Sequence, residues 1–112
     1  MIRPLTQFDF HHRLEETSGT ALVIFTAPLC GACKMLRTAM MRYGEDHPDV
    51  TMFEVDTQQD MALAREFDVF HLPALFLYLD GRFHAEIQCE TLPEKIAEAV
   101  VDARLGPAAE AP

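Results

Sequence analysis

Basic residues are scarce in this chain: 9 lysines and arginines stand against 18 acidic residues, a net charge of −9. Nucleic-acid phosphates and anionic membrane surfaces would both be repelled, so neither is an expected partner. Long apolar runs are missing too. The longest, Ala21–Phe25 and Ala74–Leu79, are strand-sized and far short of the roughly 20 residues a membrane helix needs. The segment Met1 to Phe8 lacks an apolar stretch of the kind a signal peptide carries. Cysteine is sparse and odd in number, at three, whereas a secreted disulfide scaffold normally pairs an even count. These absences together give the expectation of a cytoplasmic chain. What is present is enough for one core. The 112 residues are 49% hydrophobic, which fits a single domain and excludes a disordered acidic tail.

The apolar pattern divides the chain into alternating elements. Thr6-Gln7-Phe8-Asp9 has the spacing of a capping box and predicts a first helix, with Phe8, Phe10 and Leu14 as its apolar positions, ending near Ser18-Gly19. Ala21–Phe25 reads as a strand buried on both faces. A second helix is expected from the cysteine pair to about Tyr43, stopped by Gly44, with Met35, Leu36, Met40 and Met41 as core. Val50–Val55 alternates as a strand. Thr57-Gln58-Gln59-Asp60 repeats the cap signal before a helix face of Met61, Leu63, Ala64 and Phe67. Pro73 opens the run Ala74–Leu79, and Asp80-Gly81 joins it to Arg82–Ile87, the pattern of a hairpin. Thr91-Leu92-Pro93-Glu94 is a third cap signal, followed by a last helix carried by Ile96, Val100 and Leu105. Residues 1–105 form the expected domain and 106–112 a flexible tail. The order predicts an α/β fold: a central mixed β-sheet with parallel pairs at its centre, antiparallel strands at one side, and helices on both faces.

Chemistry concentrates at Cys30-Gly31-Ala32-Cys33. The motif follows a buried strand and opens a helix, where unpaired N–H groups and the positive end of the helix dipole stabilise a thiolate. The thiolate is the species that attacks a disulfide. Cys30 is therefore expected to be the nucleophile, with a pKa in the range of about 3.5–7.5 found for such motifs. Cys33, one turn on, is placed to close a disulfide and displace a bound partner. Gly31 lets a substrate backbone come close. A structural zinc site is the competing reading, but zinc takes four ligands and the chain has no second Cys-x-x-Cys or His-x-x-x-His. No metal is expected.

These residues give the chain a resemblance to the thioredoxin family, extending from about Leu5 to Leu105. Phe25, Ala27, Cys30-Gly31-Ala32-Cys33-Lys34-Met35, Val55-Asp56, Leu72-Pro73 and Asp80-Gly81 carry it. The resemblance implies a thioredoxin-like fold and a redox-active disulfide between Cys30 and Cys33. It also implies a cis peptide before Pro73 and a substrate-binding surface made of Leu29, Gly31, Ala32, Leu72 and Pro73. Protein disulfides would be the substrates, and a thiol or a reductase the electron donor. No cofactor is implied.

The departures from the family are specific. The tryptophans expected before the motif are replaced by Thr26 and Leu29, and the chain contains no tryptophan. Gly-Ala stands where Gly-Pro is usual. Ala32 restores an N–H donor near the sulfur, which implies a less reducing couple. The buried aspartate beneath the dithiol is replaced by Ile24 and its lysine partner by Met52, which implies slow release of mixed disulfides. The glycine expected after the hairpin is replaced by Gln88 or Cys89. Lys34 and His71 are candidate modulators of the Cys30 pKa. Cys89 reads as a small buried hydrophobe, and His11-His12 as solvated surface. The leading expectation is a thiol–disulfide oxidoreductase. The alternative is a thioredoxin-like binding module or chaperone dedicated to one protein partner.

Overall fold

A strand flanked by partners on both edges and helices on both faces must be apolar on every side chain, and the Ala21–Phe25 run meets that demand. A computed structural model describes residues 1–112. In chain order the elements are β1 (Ile2–Pro4), α1 (Phe10–Glu15), β2 (Thr20–Thr26), α2 (Gly31–Asp46), β3 (Thr51–Asp56), α3 (Met61–Glu66), β4 (Ala74–Leu79), β5 (Arg82–Ile87) and α4 (Pro93–Leu105). The five strands form one sheet in the order β1-β3-β2-β4-β5. β1, β3 and β2 run parallel, and β4 and β5 add antiparallel pairs. All seven residues of β2 are buried.

The period of two splits the strand side chains between two cores. Ala21, Val23 and Phe25 pack with Phe10 and Leu14 of α1, and with Leu63 and Phe67 around α3. Leu22 and Ile24 pack with Leu36 and Met40 of α2, and with Ile96 and Val100 of α4. Each fully buried Val, Leu, Ile or Phe stabilises the fold by about 1.5–3 kcal/mol relative to exposure, so these two layers fix which side of the sheet each helix covers. No helix is long and apolar enough to cross a membrane.

The Asp80-Gly81 hairpin forms with both central residues left-handed, φ 50° and 82°, as a two-residue primed turn requires. The Asp80 carboxylate accepts from the Gly19 N–H at 2.7 Å. A Cβ on Gly81 would lie 2.9 Å from the Leu14 carbonyl oxygen and 3.0 Å from that of Glu15. Gly81→Ala therefore combines an unfavourable φ with a backbone clash, and is expected to cost about 1–3 kcal/mol. Denaturant titration measures this; an unchanged midpoint would show that the turn does not need glycine.

Several sequence expectations need correction. β1 was not anticipated, because three residues containing a proline carry no strand pattern. The Thr6 box forms, with the Asp9 carboxylate accepting from the Thr6 N–H at 2.7 Å, but the helix begins only at Phe10 and Phe8 is exposed. α2 passes through Gly44 to Asp46. Gly44 serves packing instead: a Cβ there would lie 2.5 Å from the Met52 Cε. Thr57 does not cap α3, since its hydroxyl donates to the Thr26 carbonyl, and Asp56 holds the turn by accepting from the Gln58 and Gln59 N–H groups. The α4 N-cap position falls on Leu92 and has no side-chain cap. Met35, Met41, Met61 and Leu105 are exposed rather than core, because each lies on the outer face of its helix. The segment 106–112 contains no helix or strand, yet the Ala109 N–H donates to the His84 carbonyl at 2.7 Å.

Candidate active site

The site grows from the point where β2 ends. Thr26 closes the strand, a short loop follows, and Cys30 is the N-cap of α2 in extended conformation. The Cys30 Sγ accepts from the Cys33 N–H at 3.2 Å. The sulfur thus takes the place of the oxygen that ordinarily caps a helix, satisfying one of the unpaired first-turn amides. That amide and the helix dipole are what a Cys30 thiolate would meet. No hydrogen bond runs from Ala32 to the sulfur; the amide that reaches it belongs to Cys33. Cys30 and Cys33 are joined in a disulfide with their Cα atoms 5.2 Å apart. Cys33 is fully buried and Cys30 half-buried, so only one of the two sulfurs is open to an incoming partner.

The residues singled out around the pair fall into three places. Leu29, at φ 62° and 97% exposed, stands outward just before Cys30. Gly31, Ala32 and Lys34 are exposed along the first turn of α2. Leu72 and Pro73 are half-buried and joined by a cis peptide bond. Because Phe25 pairs with Ala74 in antiparallel register, Pro73 comes level with Thr26 at the exit toward the dithiol. His71 is exposed on the loop before it and makes no ion pair. A groove of about 500 Å3 borders Pro73, lined by Leu36, Phe67, Val69, His71, Ile87 and Cys89 among others. Neither Cys30 nor Cys33 lines it.

Cys89 is exposed, not buried. Its thiol pKa is nevertheless raised, by local desolvation first and by the Glu90 charge second. Desolvation and the neighbouring charge thus oppose a Cys89 thiolate, whereas a helix N-cap position favours one. Alkylation of the reduced chain at pH 7 is expected to modify Cys30 about fivefold faster than Cys89. Peptide mass mapping over time measures this, and equal rates would remove the distinction.

Two residues at the site, Glu54 and Arg37, were not anticipated, and Thr26 was noted only as standing in place of a tryptophan. Glu54 on β3 accepts from the Thr26 hydroxyl at 2.6 Å and from the Arg37 Nε at 3.1 Å, and also pairs with the Arg37 Nη2. Burial pushes the Glu54 carboxyl up, but the hydrogen bonds from Arg37 and Thr26 and the Arg37 charge outweigh it and hold the pKa below its ordinary value. A signal was present in the sequence. Glu54 shares a strand face with the apolar Met52, so a period-two reading puts a carboxylate on a covered face and calls for a partner.

The thioredoxin family model matches residues 1–102. Thioredoxin domain-containing protein 2 of Rattus norvegicus is 32% identical over 104 residues, covering 88% of this chain and 19% of that protein. A thioredoxin of Chlamydia trachomatis is 32% identical over 82 residues, covering 73% of this chain and 78% of that protein. The chain thus spans a small part of the first relative and most of the second. Among solved structures, oxidized mitochondrial thioredoxin 3 of Saccharomyces cerevisiae superposes with a TM-score of 0.77 at 24% identity, covering 90% of this chain and 94% of that one. That likeness concerns the fold.

Proposed function

The chain belongs to the thioredoxin family and carries its Cys-x-x-Cys pair, and from that premise we propose that it is a thiol–disulfide oxidoreductase with Cys30 as nucleophile and Cys33 as resolving cysteine. The observation that carries this reading is the Cys30 sulfur at the α2 N-cap, held by the Cys33 N–H and bonded to the buried Cys33 sulfur.

In the reductive direction the Cys30 thiolate attacks one sulfur of a substrate disulfide. The other substrate sulfur leaves as a thiolate and takes up a proton. Cys33, deprotonated in turn, attacks the Cys30 sulfur, and the second substrate thiol departs. Two electrons have passed to the substrate, and the Cys30–Cys33 disulfide remains for a thiol or reductase to reduce. Leu29, Gly31, Ala32, Leu72 and Pro73 serve as the surface that receives the substrate strand. Gly31 adds no side-chain bulk where that backbone must approach. Lys34 acts as a nearby positive charge favouring the thiolate, and His71 joins it when protonated. A cytoplasmic setting belongs to the same reading, and the odd count of three cysteines supports it.

Reduction of a model protein disulfide, with dithiothreitol as the recycling thiol, tests the proposal. The wild type is expected to accelerate it and Cys30→Ser to fall to the uncatalysed rate. Equal rates for the two would overturn the enzymatic reading. If protein-partner binding then survived in the double variant Cys30→Ser/Cys33→Ser, a binding module would take its place.

A further inference from the structure

The exchange chemistry makes no use of one charged pair, formed one helical turn past the dithiol. Glu54 lies opposite Ile24 in the β2–β3 register, on the sheet face that α2 covers, beside the position where the family resemblance expects a buried acid. It is half-buried, as is Arg37. Arg37 follows Cys33 by four residues, which places it one turn further along the same helix face. Thr26 precedes Cys30 by four residues. Its hydroxyl donates to Glu54 at 2.6 Å, and its carbonyl accepts from both the Thr57 N–H and the Thr57 hydroxyl at 2.8 Å. One carboxylate therefore ties the strand that delivers the dithiol loop to the helix that starts from it.

The remaining charges near the dithiol are differently engaged. Lys34 is exposed on α2 and His71 is exposed on the loop before Pro73. Asp56, at the end of β3, is occupied by the Gln58 and Gln59 amides at 2.9 and 3.3 Å. β4 contributes only apolar and aromatic side chains. Arg37–Glu54 is the sole ion pair formed between α2 and the sheet.

We infer that Arg37 and Glu54 are positioning residues that together set the reactivity of Cys30, with Arg37 favouring its thiolate and Glu54 attenuating that pull. The inference rests on Cys30 being the nucleophile of the proposed function. Its physical basis is the slow decay of Coulomb energy with distance where water is partly excluded. While both charges are present they largely cancel at the dithiol. Removing either one leaves the other uncompensated. Deleting the carboxylate must therefore act on Cys30 in the opposite sense to deleting the guanidinium. A pair that only held α2 on the sheet would give two variants displaced the same way, or neither displaced.

The test follows the pH profile of Cys30 alkylation in reduced protein, together with its equilibrium against glutathione. Glu54→Gln is expected to move the midpoint of the profile to lower pH by about half a pH unit, corresponding to a threefold change in the ionisation constant, and to shift the glutathione equilibrium toward the dithiol. Arg37→Met is expected to move both the other way by a similar factor. The double variant should return close to wild type, and Arg37→Lys should stay there because it keeps the charge. Should Arg37→Met fail to fold, Arg37→Gln makes the same charge change with a polar group in place. Shifts in the same direction for both single variants, or no shift in either, would overturn the inference. The outcome is separable from the function itself, since alkylation reads the Cys30 thiolate even in a chain that proves inactive as a reductase.

Discussion

Replacing Cys33 by serine is expected to abolish turnover and leave Cys30 joined to its substrate. Cys30 is half-buried and Cys33 fully buried, so a substrate disulfide reaches Cys30 first. A mixed disulfide at Cys30 is then broken quickly only by an internal thiol, and Cys33 is the cysteine within bonding reach, at a Cα separation of 5.2 Å. A serine hydroxyl fits the same space but cannot attack sulfur at neutral pH. Multiple turnover should fall by orders of magnitude, because resolution becomes intermolecular and forfeits the high effective concentration of a neighbouring thiol. One equivalent of substrate should stay bound through sulfur and be released by dithiothreitol. Mass spectrometry of the captured species measures this. Undiminished turnover in Cys33→Ser would show that another thiol resolves the intermediate. A disulfide trapped at Cys89 instead would move the nucleophile itself.

Ile24→Asp should lower stability by about 3 kcal/mol or more while speeding the release of mixed disulfides. Ile24 is completely buried, in the core shared by Leu36, Leu75 and Leu77. An aspartate there loses the isoleucine contacts and brings a polar group with no partner provided for it. It would also face Glu54 across the β2–β3 register, and that carboxyl is held ionised by Arg37 and Thr26 despite its burial. Burial and a like charge both disfavour ionisation of the new carboxyl, so its folded pKa rises above the unfolded value near 3.9. The unfolded state then binds fewer protons than the native one over that interval, and stability relative to wild type falls as pH rises through it. The same raised pKa makes the group a competent proton acceptor near neutrality, here for the buried Cys33 thiol. Denaturant titration at two pH values and single-turnover release of the mixed disulfide measure the two halves. A stable, pH-insensitive variant, or one with an unchanged release rate, would refute the corresponding half.

Legibility in the sequence was high where one short segment held the whole signal. Ala21–Phe25 could only be a buried central strand. Asp80-Gly81 named its own turn, and Cys30 to Cys33 declared both chemistry and helix start. Legibility was low where meaning depended on a distant neighbour. Gly44 looked like a helix stop until Met52 was found against it, and Thr57 looked like a cap until its hydroxyl was found on Thr26. Met35, Met41 and Leu105 have the right residue type but the wrong angular position on their helices. Thr6 shows both sides at once, since its box forms as spaced yet the helix waits for Phe10.

By itself, then, the sequence determined an alternating α/β chain whose reactive dithiol sits between a buried strand and a helix. Hydrophobic period and local capping are encoded by neighbours a few residues apart, and they survive without any knowledge of the fold. The tertiary structure alone decided which sulfur is open, that Pro73 comes level with the exit of β2, and that Glu54, Arg37 and Thr26 meet beside the cysteines. Those facts arise from strand register and helix docking between segments far apart in sequence. A one-residue slip in strand register would carry the strand side chains to the other face of the sheet.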